Sequence, residues 1–376
     1  MRRIRRREML RNSLGLSSAL LGWSWAQLPD IPRPSGEGRS FRMGFTPSPH
    51  LETPQAWNEM ANFIRQNGDI VLQHLWGVPW TEALHDQPFH PNFMADWERR
   101  KGLTGGGLRT YLAVTPLSGN RTDISEYTNE QENVPLPAEF QGKPLDDPMV
   151  KTAYLHYCER AIEYFQPEYA AIGIEVNSFY HPSRRKRWPQ FVGLHHYVYG
   201  ELKKKYPSLP LFATLDLHAM MAPDNPDRDG MLAGYKEIMD SNDILAISFY
   251  PFFRGVSKRV DSSLAWLTET FDPYNKPYAV GETGEAAENV VIKLKSGKRE
   301  YKGSPAAQAA YFGKLLALAQ ARRFKFVIAW FYRDPIAVER YHWEPWQHCG
   351  FLDENGAPRP AYAVWRKYFQ MPLREQ

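Results

Sequence analysis

The sequence predicts an α/β fold, an eight-stranded parallel barrel wrapped by helices, the (β/α)8 TIM barrel. Eight short apolar runs recur along the chain with amphipathic helical stretches between them, and that eightfold alternation is far less ambiguous than any single run. The turn after the first run, Phe45-Thr46-Pro47-Ser48-Pro49-His50, lacks the glycines with which a doubly wound sheet cradles a pyrophosphate. At 376 residues, 43% hydrophobic and 23% charged, the chain has the length and composition for one large packed core.

Taken in order, Arg42–Thr46 is the first strand and Pro54–Gln66 the first helix. Asp69–Leu75 and Arg109–Thr115 are the second and third strands, and Pro148–Phe165 a helix. Tyr169–Val176 is the fourth strand, followed by a helix over Trp188–Lys205. Leu211–Leu217, Ile244–Tyr250, Pro277–Thr283 and Phe326–Tyr332 complete the barrel, with helical patterns at Met231–Asp240, Ser262–Phe271, Pro305–Arg322 and Ala361–Phe369. Two connections are too long for bare linkers, Leu117–Pro148 after strand three and Glu285–Pro305 after strand seven. The second contains a hairpin pattern turning at Ser296-Gly297. Both lie at C-terminal strand ends, where a barrel carries its site, and are expected to wall a cleft.

The first 26 residues read as a targeting segment: Arg6-Arg7 is a twin-arginine pattern, Leu14–Trp25 is uncharged and too short to span a bilayer, and Ser24-Trp25-Ala26 ends it like a cleavage site. The expected organisation is a Tat-type signal over 1–26, a spacer over 27–40 and a single barrel over 41–376, exported to the periplasm or outside the cell, with no stable membrane insertion after cleavage. An uncleaved basic anchor is the alternative. Residues 1–26 hold six arginines and one glutamate, +5, so the remainder of a chain of net charge +4 is −1. That leaves no overall field to attract nucleic acid. Cys158 and Cys349 are far apart, without metal-type spacing, and are expected to be buried thiols. The first strand carries no histidine, and no metal or cofactor is expected.

Residues at C-terminal strand ends face the substrate in a barrel. Strand two offers His74 and Trp76; strand four ends Gly173-Ile174-Glu175-Val176-Asn177; strand five ends Asp216-Leu217-His218; strand six reaches Tyr250; strand seven ends Gly281-Glu282-Thr283-Gly284; strand eight offers Trp330. A glutamate ending an apolar strand is costly unless its charge is used or paired. Strands four and seven stand on opposite sides of a barrel, so Glu175 and Glu282 would face each other across its mouth. Two facing carboxylates, one protonated and one ionised, are what glycosidic bond cleavage needs. The alternative is that each glutamate separately caps a barrel edge or pairs with an arginine.

This placement resembles clan A glycoside hydrolases. AIGIEVN (171–177) is similar to the strand-four motif of their endo-β-1,4-galactanases, PYAVGETG (277–284) to a clan nucleophile segment and DILAISFYP (243–251) to the sixth strand; the tail from Gly350 resembles the end of such barrels. The resemblance covers strand four onward. It implies Glu175 as acid/base, Glu282 as nucleophile, Tyr250 as a hydrogen-bond donor to the nucleophile and Trp330 as the floor under the cleaved sugar, acting on a β-linked poly- or oligosaccharide. The clan has Asn just before the acid/base, contacting the sugar 2-hydroxyl; here that place is Ile174, and Asn177 or His218 is the candidate to replace it. Asp216 and His218 bind a sugar hydroxyl or pair with each other. His195-His196 lies in a helix pattern and reads as surface or core. The run Ser183-Arg184-Arg185-Lys186-Arg187 is either a solvated face or a preference for anionic glycans. A non-catalytic carbohydrate-binding barrel and a transglycosylase remain alternatives.

Overall fold

The computed structural model describes residues 36–104, 107–294, 297–336 and 344–374. The targeting segment, most of the spacer, and Ser296 at the hairpin turn lie outside the described residues. The barrel strands are Arg42–Phe45, Ile70–His74, Arg109–Ala113, Tyr169–Ala171, a fifth strand in two pieces (Leu211–Phe212 and Thr214–Asp216), Leu245–Phe249, Tyr278–Thr283 and Phe326–Ala329. All neighbouring pairs are parallel. The first strand pairs with the second and the eighth. The break at Ala213 closes the circle: Leu211–Phe212 pairs with strand four, and Thr214–Asp216 with strand six.

Each strand is followed by a helix: Pro54–Asn67, Pro91–Lys101, Pro148–Phe165, Trp188–Lys205, Arg228–Glu237, Val260–Phe271, Pro305–Ala321 and Pro360–Phe369. Four begin alike, with a proline in the first turn and a side-chain cap before it. Thr53, His90, Asp147 and Ser304 each accept a bond from a backbone N–H of the first turn, satisfying a donor the helix cannot pair, where proline's missing N–H and fixed φ cost nothing. The helix Pro91–Lys101 was not expected from the pattern. It buries only Phe93 and Trp97, one i,i+4 pair, so its apolar stripe is too narrow to register as a period.

Strand alternation divides the apolar residues between two cores. Ile70, Leu72, Tyr111, Ala113, Phe212, Ala246, Ala279, Phe326 and Ile328 fill the barrel. Their neighbours in sequence, such as Val71, Leu112, Val280 and Val327, pack outward against the helices in the larger core. Much of the aromatic content is spent here, as the rings of Phe45, Phe351 and Trp365 illustrate. Cys158 and Cys349 are both buried and unbonded. No helix among the described residues is long and apolar enough to cross a membrane.

The two long connections are structured. Isolated bridges Leu117–Ile124 and Tyr127–Val134 fold the first back on itself. Strands Val290–Leu294 and Gly297–Tyr301 form the expected antiparallel hairpin in the second.

Candidate active site

Glu282 owes its orientation to a bulge. Ala279 points into the barrel, so plain alternation would send Gly281 inward and Glu282 outward. Ladder pairing runs Val280–Ile247 and then Glu282–Ser248, leaving Gly281 as an extra residue. A Cβ on Gly281 would lie 3.0 Å from Tyr111 Oη and 3.3 Å from Thr214 Cγ2, inside the barrel. Glu282 therefore also turns inward, to the barrel mouth, where Oε2 accepts a 3.1 Å bond from Tyr250 Oη and Oε1 lies 3.1 Å from His74 Nδ1. Thr283 points outward, donating to the Phe249 carbonyl at 2.7 Å and meeting Tyr311 of the surrounding helix.

Glu175 is positioned differently. The fourth strand ends at Ala171, earlier than the apolar run suggests, and Glu175 sits beyond it in the left-handed region, φ 53°, ψ 40°. That conformation costs a non-glycine residue about 1 kcal/mol or more. It is held by a 2.8 Å bond from the Glu175 N–H to Thr214 Oγ1 and by the turn Val176–Phe179 that follows. Ile174 is fully buried in the barrel's interior core, so no polar group stands where the clan resemblance puts Asn.

Around the Glu175 carboxylate the chain gathers three charged groups. Arg121, from the loop after strand three, reaches Oε2 at 3.3 Å while also donating to the Ser118 and Gly119 carbonyls. Asp216 and His218 stand on the other side, with Asp216 Oδ1 2.8 Å from His218 Nδ1, so the pairing alternative for these two is the one observed. Asp216 also caps the short helix Leu217–Met221 through the Ala219 N–H and accepts from Ser178 Oγ, both at 2.7 Å. Burial raises the Glu175 carboxyl to about 7; Asp216 and Glu282 add to the rise, and Arg121 and His218 act against it. Burial opposes charge on the pair too, yet their mutual attraction prevails: Asp216 is held below the usual carboxylate range and His218 above the usual imidazole value.

Asn177 takes a structural place. It is fully buried, its amide donating to the Asp216 carbonyl at 3.0 Å and accepting from the Asp216 N–H at 2.6 Å. Both polar groups are thus committed to holding strand five, which argues against the sugar contact expected of it. His195 is buried and its Nε2–H donates to the Ser241 carbonyl at 3.0 Å, and the His196 Nε2–H donates to the Glu237 carbonyl at 3.2 Å, so both rings are engaged with backbone. The basic run is largely self-paired: Arg185 with Asp227, Arg187 with Asp123, and Arg184 with the Ser178 and Phe179 carbonyls. That removes most of the ground for an anionic-glycan preference.

The remaining expected residues form an aromatic surface beside Glu282. His74 stacks on Trp76 at 4.3 Å and meets Trp330 edge-on at 5.4 Å. Trp76 is 43% exposed, and the Arg121 guanidinium lies 5.5 Å over its ring. A cavity of about 770 Å³ opens from this surface, lined by His74, Trp76, Trp330, Trp57 and Trp346 and also by charged side chains such as Asp96, Arg99 and Glu132, with Glu282 adjoining it through His74. Trp346 and Arg121 were not singled out from sequence. Trp346 lies 4.5 Å from the Tyr250 ring and stacks on Phe253 at 5.4 Å and 9°. Arg121 comes from a loop already expected to wall the cleft, but nothing local distinguishes it from other surface arginines.

Among the described residues two clusters have metal-compatible spacing. The ligand atoms of Glu175, Asp216 and His218 lie within 4.8 Å of one another, as do those of Glu288, Asp334 and His348. In the first, both Asp216 oxygens are already hydrogen-bonded. In the second, Arg359 already bridges Glu288 and Asp334 at 2.7 Å each.

The described strands form a closed parallel barrel, with Glu282 at the end of strand seven and Glu175 in the turn after strand four. No protein-family model matches the chain, and no curated protein sequence matches it. Solved structures do. The GH53 catalytic domain of Ignisphaera aggregans superposes with a TM-score of 0.60 at 18% identity, covering 90% of this chain and 99% of that one. A GH5_18 protein from Streptomyces cattleya, solved with GlcNAc, gives 0.62 at 16%, covering 90% and 83%. Fungal β-1,4-galactanase gives 0.55 at 14%, covering 87% and 94%. The chain shares the barrel fold of clan A glycoside hydrolases, and likeness at these identities is one of fold.

Proposed function

We propose that this protein is a cofactor-free retaining glycosidase, exported by its twin-arginine segment, that cleaves a β-linked, largely uncharged poly- or oligosaccharide. The observation that carries the reading is geometric: Glu282, held by Tyr250 with His74 beside it, and Glu175, buried against Asp216 and Arg121, face the same barrel mouth next to exposed tryptophan faces, and burial raises the Glu175 carboxyl in support of an acid role. Two carboxyls in unlike environments are the acid/base arrangement of glycoside hydrolysis. Glu282, aimed by Tyr250 and His74, attacks the anomeric carbon while Glu175 gives its proton to the leaving oxygen. Glu175 then takes a proton from the water that displaces Glu282. Trp330, Trp76 and Trp346 offer ring faces for the sugars, whereas His218 is buried and engaged with Asp216.

The barrels of similar fold include fungal β-1,4-galactanase and a GH5_18 protein solved with GlcNAc, which directs a first screen to β-galactan and β-linked N-acetylglucosaminides. The test is hydrolysis of aryl glycosides and these glycans by residues 27–376, with proton NMR of the first-formed anomer. Retention in the wild type, loss with Glu282→Gln and azide rescue of Glu175→Ala on an activated glycoside support the reading. An inverted product, or unchanged turnover in Glu282→Gln, overturns it. Burial of Ile174 favours a second reading, a carbohydrate-binding barrel without turnover, for which glycan binding without product from any substrate would be the signature. Product analysis with an acceptor present separates hydrolysis from transglycosylation.

A further inference from the structure

We propose that Asp216 and His218 are a positioning pair for the acid/base, His218 remaining an imidazolium throughout turnover and offsetting the carboxylate that forms on Glu175 when it releases its proton. The inference rests on the glycosidase reading and deepens it.

The geometry is specific. Glu175, Asp216 and His218 present ligand atoms within 4.8 Å of one another, and the latter two are almost fully buried. Asp216 is fixed by four contacts: the Ala219 N–H, Ser178 Oγ, His218 Nδ1, and the Asn177 amide on its backbone. His218 is confined edge-on between the Tyr250 and Phe253 rings, centroids 5.6 and 5.9 Å away. A buried carboxylate this well fixed, with a histidine 2.8 Å away, holds the ring in one orientation and favours its charged form. The groups facing His218 are Asp216, Glu175, Arg254 and Tyr250; only Arg254 disfavours the imidazolium. Those facing Glu175 are Asp216, Arg121, Glu282, His218 and Tyr250.

Without a cation here, proton release by Glu175 would place its new carboxylate beside that of Asp216, Glu282 being by then the uncharged ester of the glycosyl-enzyme. In the first half-reaction a Glu282 oxygen bonds C1 as the C1–O bond breaks, the electron pair of the broken bond goes to the leaving oxygen, and that oxygen takes the Glu175 proton. In the second, water adds to C1, Glu282 departs with its bonding pair, and the water proton returns to Glu175. His218 keeps its proton in both; its contribution is charge placed where charge develops.

The experiment compares two leaving groups in His218→Gln. A 2,4-dinitrophenyl glycoside departs without protonation, whereas a phenyl glycoside needs it. His218→Gln is expected to lower kcat/KM about 10- to 100-fold on the phenyl glycoside, less than the about 10²–10⁴-fold a general acid itself contributes, and less than about threefold on the dinitrophenyl one. Equal losses on both, or no loss on either, overturn the proposal. Wild-type imidazole NMR gives a second answer that does not depend on the variant's folding. A His218 ring still protonated at pH 7 supports the proposal, and a neutral ring refutes it. Glu175→Ala separates the two levels of inference: if it lacks azide rescue, the glycosidase reading fails; if it is rescued while His218→Gln shows no leaving-group dependence, only the pairing role fails.

Discussion

Replacing Arg121 by methionine is expected to carry the Glu175 carboxyl further upward and to extend activity to higher pH. The guanidinium Nη2 lies 3.3 Å from Glu175 Oε2, and both groups are largely buried. An opposite charge at this range lowers a carboxyl by about 1–3 units. At an effective dielectric of about 20 the Coulomb attraction at 4 Å is about 4 kcal/mol, so three units is the upper end. Starting from about 7, the variant should titrate between about 8 and 10. Glu175 must hold its proton to act, so activity is present below its pKa and lost as pH rises through it. The alkaline limb of kcat/KM for a poor leaving group therefore moves up by the same interval. Carboxyl carbon NMR of Glu175 follows the shift without any substrate, with Glu175→Gln to assign the signal. Arg121→Lys, which keeps the charge, should leave the limb near its wild-type position. A limb that stays in place or moves to lower pH in Arg121→Met refutes the account of Glu175's electrostatics.

Three further outcomes follow from other buried groups. Burial pushes Glu285 up to about 7, with the Ala286 N–H and Ser257 hydroxyl working against it, so the folded state binds a proton that the unfolded chain gives up near 4.5. Its cost to stability accordingly grows as pH rises from about 4.5 to about 7, and Glu285→Gln should gain up to about 3 kcal/mol at pH 8 and almost nothing at pH 4; equal urea midpoint changes at both pH values would exclude this. Arg359→Met strands Asp334, 1% exposed, and unties the loops after strands seven and eight, with an expected loss of about 3–5 kcal/mol in chemical denaturation; a loss under about 1 kcal/mol, the range of exposed pairs, would mean the cross-link is dispensable. Trp346→Ala should weaken glycan binding by calorimetry about tenfold; unaltered affinity would remove Trp346 from the site.

The sequence by itself determined the barrel, because the two periods that define it are local. Alternating or continuous apolar runs of strand length, and prolines behind Thr53, Asp147 and Ser304, state their structure within a few residues. It also put Glu282 at a strand end, whereas Glu175, read as part of the strand Tyr169–Val176, lies four residues past the strand's end at Ala171, in a left-handed turn. What only the tertiary structure decided is where side chains point and which charges meet. The period-two pattern would turn Glu282 outward; a register shift against Ile247 and Ser248, more than thirty residues away, turns it inward. Ile174 reads as a missing polar contact in sequence but is part of the barrel's interior core. Asn177, adjacent to the motif, is drawn off to hold the Asp216 backbone. Arg121 meets Glu175 from 54 positions away. Each of these depends on closing the barrel, which brings distant strand ends to one mouth, and closure is a property of all eight strands and of no single segment.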